Sequence, residues 1–479
     1  MSGAPQPGAA RPSWAAWAFG RPVSTRSVDR LTLGLATAVV GLAAGAASLW
    51  KLLSWPSAAT VDAWAYAAWG QALARAERPL YELGATTPKP LAAVLGTLVA
   101  PIPAERAFPV VVALAAGGLA AALFAAAHRE GGGVAAAVAV VALAFGARLA
   151  AYVAFGLVDV VVAALVVAGV ALRGRWRIAA FVLAGLLRPE AWALAAIAGF
   201  AETAGSLNRR MAGAVAAGAA APVSWLLIDL VLTGDPLASL DWHFNRLGAR
   251  GGEGIAWPDI PAELWTRLGN AGGTVVAIAG LLGLGLYYFR ARRRGDVDWV
   301  LLAVVLFWPL LLALQAGYGA NLNARYLLPV AAVLALGCGL LAATFLTSTS
   351  PRATWAAVAV AAGTFALVAA SAEIPEGMRG SIDRNEAIAA TRPTVESAQA
   401  CGRVGVTRAS AFRGLLPQLA ASTRSSLRSF GIYRGNGQFA AVLHLAPRRS
   451  LPDPPLPAWP RVATPLGPLA VAPGCQAFR

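Results

Sequence analysis

Charge is what this sequence has least of. Only 13% of its 479 residues are Asp, Glu, Lys or Arg, 58% are hydrophobic, and the mean hydropathy is +0.62. Soluble domains carry about 25% charged residues, so a water-soluble fold is excluded. Acidic residues are scarcer than basic ones, 23 against 39, for a formal net charge of +16. That excess does not point to nucleic acid, because no soluble basic domain exists to carry it. It fits basic residues placed in the loops of a membrane protein.

Histidine and cysteine are nearly missing, three of each. His128, His243 and His444 lie too far apart for a zinc spacing. Cys338 sits inside an apolar run and reads as core. Cys401 and Cys475 bracket the polar C-terminal tail, fit no metal spacing, and can pair as a disulfide if that tail lies outside the cell. There is no P-loop, dinucleotide fingerprint or Gly-x-Ser-x-Gly elbow, so nucleotide-driven chemistry inside the cell has no support. No internal repeat of the transporter type is present. No cofactor is expected, and a divalent cation is left open because carboxylates alone would have to hold it. Met1 to Arg30 is too polar for a signal peptide and reads as a disordered cytoplasmic tail.

Long apolar runs are plentiful. Runs of about 20 residues cross a bilayer as helices, and the sequence predicts spans near 31–53, 105–127, 134–149, 151–172, 211–232, 272–289, 299–317, 325–346 and 354–372. The run 178–203 decides the topology. As one crossing it would bury Arg188 and Glu190 at the bilayer centre and send Arg209, Arg210 and the Arg290–Arg294 cluster outside. As two short helices turning back at Pro189 it leaves those arginines inside, with Arg129, Arg173, Arg175, Arg177 and Arg352. A broken helix at membrane depth is tolerated where it lines a polar cavity. The expectation is therefore an all-α polytopic membrane protein with about 11 membrane segments, including a short re-entrant pair, N-terminus in the cytoplasm and C-terminus outside. Residues 31–372 form the membrane domain, with outer loops 54–104 and 233–271. Residues 373–479 form a small extracytoplasmic α/β domain with strand-like runs at 403–406, 439–445 and 469–472 and a helix over 414–427.

In this orientation Asp62, Asp159, Arg188, Glu190, Asp229 and Arg325 all fall at or near the outer face. Ionisable groups at membrane depth are costly and mark working sites, so one outward-opening charged cavity is expected. Asp62 begins a Trp- and Tyr-bearing stretch, 62–76, that suits a helix at the outer interface; it reads as a general base or as a helix N-cap. Lys89 meets a phosphate as a point charge or snorkels at the interface. The apolar stretch 91–102 is too short to cross and belongs at the interface. Arg188 suits an anion, with Glu190 holding it, unless the two merely close the turn. Asp159, with Arg148 at the preceding turn as a partner, either belongs with Arg148 to the substrate site or forms a buried ion pair. Asp229, at a span end, carries less weight. His243, in the loop segment Asp241–Arg246, is a phosphate ligand or an ordinary loop residue. Arg325, beside Tyr326, faces a lipid phosphate or forms an interfacial belt.

Asp62, Thr87-Pro88-Lys89-Pro90-Leu91, Leu187-Arg188-Pro189-Glu190-Ala191-Trp192, Thr233-Gly234-Asp235-Pro236-Leu237 and Ala324-Arg325-Tyr326-Leu327-Leu328-Pro329 together resemble the GT-C class of membrane glycosyltransferases, bacterial and actinobacterial mannosyl- or arabinofuranosyltransferases in particular. The resemblance implies a polyprenyl-phosphate sugar donor, a glycan or glycolipid acceptor outside the cytoplasm, the plasma membrane as location, and an inverting displacement with Asp62 as base. Many relatives carry an Asp-Asp or Asp-Glu pair where this chain has Val61-Asp62, so no metal-binding pair is implied. The alternative is a transporter or flippase of a lipid-linked anion, which would need charges along its whole path; the inner halves of these spans are nearly bare.

Overall fold

The computed structural model describes residues 30–79, 88–146, 148–239, 255–294, 297–318, 322–346, 350–371, 373–374, 378–402, 404–407, 415–423, 430–433, 441–443, 461–466, 469–471 and 475. Seven helices are long and apolar enough to cross a membrane. The protein is a multi-pass membrane protein whose membrane part is all helical.

The first helix, α1 (Arg30–Ser54), packs along α4 (Ala104–Gly146), with α2 (Val61–Ala74) and α3 (Pro90–Leu98) between them in sequence. Gly41 and Gly45 of α1 face Gly117 of α4, where a methyl group would run into the Gly41 carbonyl oxygen. Small residues let helix backbones approach where water supplies no driving force. At 43 residues, α4 is about 65 Å of helix, roughly twice a bilayer core. It is two helical legs. Gly132 takes φ +76°, a left-handed value that breaks the helix, and the chain folds back there. The His128 ring nitrogen Nε2 lies 3.0 Å from Thr354 Oγ1 at one end, while Pro109 and Gly156 meet at the other.

The expected span 151–172 is corrected. The chain forms α5 (Leu149–Phe155), turns at Gly156 with φ +67°, and restarts as α6 (Asp159–Ala171). At 13 residues α6 is about 20 Å long, short of a full crossing. The run 178–203 also breaks, into α7 (Arg175–Gly185) and α8 (Glu190–Glu202). Their far ends meet: Arg177 Nη1 lies 3.0 Å from Glu202 Oε1, and the Gly174 amide donates to Glu202 at 2.8 Å. The pair therefore turns back at Leu186–Pro189. There follow α9 (Leu207–Thr233), α10 (Ile260–Gly272) within the segment read as loop 233–271, α11 (Thr274–Arg294), α12 (Trp299–Gly317), a 3-10 turn (Ala324–Leu327), α13 (Leu328–Ala343) and α14 (Pro351–Ser371). Buried from Leu328 to Leu340, α13 is the central post against α4, α6, α11 and α12.

The loops expected on one side do gather at one end. Arg129 donates to the Ala171 carbonyl at 2.6 Å. Asp298 accepts from Arg173 and from Arg177, the latter at 2.9 Å. Asp62, Lys89, Asp159, Arg188 and Arg325 lie at the other end, called below the site end.

After α14 come α15 (Arg379–Gln399), β1 (Val404–Thr407), α16 (Leu415–Ser422), β2 (Phe430–Tyr433), β3 (Ala441–Leu443), β4 (Arg461–Val462) and β5 (Leu469–Val471). The strands form one sheet in the order β2-β1-β3-β5-β4. β1 runs parallel to β2 and β3, and β5 runs antiparallel to β3 and β4. Cys401 and Cys475 form a disulfide. The helix α15 was not expected, and it changes the setting of α2. Trp64 Nε1 donates to Asn385 Oδ1 at 3.1 Å, and Asn385 Nδ2 donates to the Ser57 and Ala59 carbonyls at 3.0 and 3.3 Å. Trp64, Tyr66 and Trp69 are fully buried. These aromatics of the 62–76 stretch therefore pack against protein, the C-terminal chain among it, rather than standing free in an interfacial belt.

Candidate functional site

Four breaks in regular structure place the charged side chains. The first is the start of α2. Thr60 caps it, accepting from the Ala63 amide at 3.4 Å, and its own amide and hydroxyl donate to the Phe155 carbonyl at 3.0 and 3.1 Å. Thr60 takes the capping role, so Asp62, the second residue of the helix, does not serve as the cap and projects from the first turn. The same bonds tie α2 to the end of α5.

The second break is the Gly156 turn, which puts Asp159 in the first turn of α6, where a helix N-terminus favours a carboxylate. Asp159 is 2% exposed. The third is Leu186–Pro189, which presents Arg188. Arg188 Nε donates to Asp159 Oδ1 at 3.1 Å and Nη2 reaches the same oxygen. The expected Arg148–Asp159 pair is corrected: Arg148 is exposed and makes no ion pair among the described residues, because the turn at Gly156 aims Asp159 at the re-entrant pair. Glu190 also pairs with Arg188, its Oε1 4.0 Å from Nη1, while Asp159 makes the closer contact.

The fourth break is the 3-10 turn before α13. Asn323 Oδ1 accepts from the Arg325 amide at 3.3 Å, and Trp308 Nε1 donates to the Tyr326 carbonyl at 2.8 Å. Arg325 then bridges two carboxylates, with Nη2 3.1 Å from Asp62 Oδ2 and Nε 3.6 Å from Asp159 Oδ2. The Tyr326 ring carries both guanidinium groups, Arg188 at 3.7 Å and Arg325 at 5.3 Å from its centroid. Such stacking holds a cation without consuming its hydrogen-bond donors.

Lys89 completes the set. It precedes α3, which packs against α2 so closely that a methyl on Gly96 would overlap the Tyr66 carbonyl. Its ammonium stands 5.9 Å from the Tyr66 ring centroid. Lys89 makes no ion pair among the described residues, and burial, together with the nearby charge of Arg188, pulls it down to about 7 from the usual lysine range, against the opposing pull of Asp159 and Asp62. The site thus joins three carboxylates (Asp62, Asp159, Glu190) and three basic groups (Lys89, Arg188, Arg325). Two of the bases are engaged by carboxylates, and Lys89 is the cation left for an incoming anion.

Asp229 does not join them. It is fully buried and accepts from the Ser239 amide at 3.0 Å and hydroxyl at 2.8 Å, closing the turn after α9. His243, Thr86 and Thr87 lie outside the described residues. No group of three or more His, Cys, Asp or Glu side chains placed to hold a metal ion occurs among the described residues. Tyr66 under Lys89 and Asn385 against α2 carry no motif that singles them out in sequence.

Beyond α5 lies an apolar cleft. Ala150, Val153 and Ala154 of α5 form one wall, Lys51, Leu52 and Trp55 of α1 another, and Phe365 and Val368 of α14 the third. Tyr152, on the same short helix, is close enough to feel the charges of Asp159 and Arg325.

No family model matches this chain, and no curated protein sequence matches it.

Proposed function

We propose that the protein is a GT-C-type glycosyltransferase that moves a sugar from a polyprenyl phosphate to a hydroxyl of a glycan or glycolipid. The observation that carries the reading is Asp62: a carboxylate at the site end, 3.1 Å from Arg325 and within the field of Lys89. A base beside cations is what displacement at a sugar phosphate needs. Asp62 takes the proton of the acceptor hydroxyl as its oxygen bonds to the anomeric carbon, and the bond from that carbon to the phosphate oxygen breaks with inversion. Lys89 and Arg325 receive the charge that grows on the departing polyprenyl phosphate, and Arg188 with Asp159 keeps Arg325 and Tyr326 in place.

Orientation follows from the same reading. With the arginine-rich loops in the cytoplasm, eleven membrane segments result, counting both legs of α4 and the short α6, α7 and α8. The site end and the disulfide-bearing C-terminal α/β domain then face outward, where disulfides persist.

The test is transfer by purified protein in proteoliposomes from a panel of radiolabelled polyprenyl-phosphate hexoses and pentoses to a mixed glycan acceptor. Label in the acceptor fraction with at least one donor is expected. Binding of the lipid phosphates with no transfer from any donor would favour a carrier of lipid-linked anions.

A further inference from the structure

Glu190 is spent on nothing in the account above. It is 3% exposed, and its Oε2 has no hydrogen-bond partner among the described residues. Its Oε1 has Arg188 at 4.0 Å, beyond hydrogen-bond reach, and that guanidinium is already committed to Asp159. A buried carboxylate oxygen without a donor bears the full cost of desolvation. The first turn of α8 offsets part of it, since Glu190 opens that helix and a helix N-terminus favours negative charge.

A carboxylate is an acceptor only. Whatever satisfies Oε2 must bring an O–H or N–H donor, and the phosphodiester of a glycosylated lipid has none. Arg325, a cation available to phosphate, pairs with Asp62 and Asp159, whereas the ion pair of Glu190 is with Arg188. We infer that Glu190 accepts a hydrogen bond from a hydroxyl of the sugar carried by the lipid-linked donor, and so makes the site select glycosylated over bare polyprenyl phosphate. This rests on the proposed glycosyl donor and adds a specificity-determining residue to it. Neighbouring Trp192 gives the carboxylate a fixed base: its Nε1 donates to the Gly185 carbonyl at 2.9 Å across the break, which locks the first turn of α8 against the end of α7.

The experiment compares wild type with Glu190→Gln, which keeps size and removes charge. The first readout is the affinity of each for polyprenyl-phosphate mannose, polyprenyl-phosphate arabinofuranose and bare polyprenyl phosphate in nanodiscs. The wild type is expected to prefer at least one glycosylated lipid, and the variant to lose about 10- to 100-fold of that preference while binding bare lipid phosphate as before. Unchanged binding of the bare lipid also certifies the variant as folded. The second readout is a scan of monodeoxy analogues of the preferred donor. One analogue is expected to weaken wild-type binding as the substitution does, with no further loss when analogue and variant are combined. Equal preference in both proteins, no preference in either, or additive losses for every analogue would overturn the inference. Transfer by the wild type is scored separately: a preference lost in Glu190→Gln without any transfer would retain the Glu190 assignment and remove the transferase reading.

Discussion

Replacing Asp62 by Asn separates chemistry from architecture. The Asp62 and Arg325 side chains are 24% and 22% exposed, so their ion pair at 3.1 Å is only partly shielded from water. Arg325 also keeps Asp159 at 3.6 Å and its place over the Tyr326 ring at 5.3 Å. Losing one partly exposed pair then costs about 1 kcal/mol of stability, and the asparagine can still accept from Arg325. The helix start is untouched, because Thr60 and not Asp62 caps α2. Chemistry should suffer far more. A positioned general base contributes about 10²- to 10⁴-fold, or roughly 3–5 kcal/mol at 1.36 kcal/mol per decade. The assay is the initial rate of sugar transfer in proteoliposomes, with donor affinity measured on the same preparations. A fall of at least about 100-fold in kcat, with donor affinity held within a few-fold, is expected. A variant that transfers within threefold of wild type would refute the assignment of Asp62 as the base.

Three further outcomes are expected. Asp159→Asn should behave as a structural lesion, because it leaves Arg188 buried without its carboxylate; breaking such a pair costs about 3–5 kcal/mol, and thermal aggregation in detergent should begin well below the wild-type temperature. Burial holds Lys89 down to about 7. Its charged form fades as pH rises through that value, so affinity for bare polyprenyl phosphate should fall between pH 6 and 8, with proton uptake on binding, and Lys89→Met should abolish that slope; calorimetry in buffers of different ionisation enthalpy reads both. The same depressed value has a stability consequence of definite sign: the folded protein binds fewer protons than the unfolded chain between about 7 and 10.5, so this group favours folding more as pH rises through that window. The Cys401–Cys475 disulfide closes a loop of sequence separation 74, about 4 kcal/mol on the chain-entropy scale. Reduction should loosen the C-terminal strands to proteolysis, and a membrane-impermeant maleimide should then label both cysteines in intact cells.

Much of the fold was legible because a bilayer forces each crossing helix to satisfy its own backbone. Apolar length alone therefore marked the long crossings, and the arginine pattern separated the two legs of α4 and bent 178–203 at Pro189. In the tail, β1, β3 and β5 fell within a residue or two of the alternating runs, because short apolar strands between polar residues stand out locally. The two-residue β4, the strand β2 and the amphipathic α15 did not, since their partners lie elsewhere in the chain.

The charges were legible as a set, and their pairing was not. Burial at low dielectric makes an isolated charge expensive, which is why six ionisable residues in apolar surroundings stood out before any coordinates. Which carboxylate meets which guanidinium depends on how distant helices pack. Arg325 reaches Asp62 across 263 residues of sequence, and Asp159 turns from adjacent Arg148 to Arg188 because one left-handed glycine redirects its helix. Asp229 looked like a member of the cluster and is instead closed off by Ser239. The sequence by itself determined a many-helix membrane protein with a charged end. Only the tertiary structure decided that, among the described residues, Lys89 lacks an ion pair and Glu190 Oε2 a hydrogen bond, because a group's partner is a property of the packing around it and not of its neighbours in the chain.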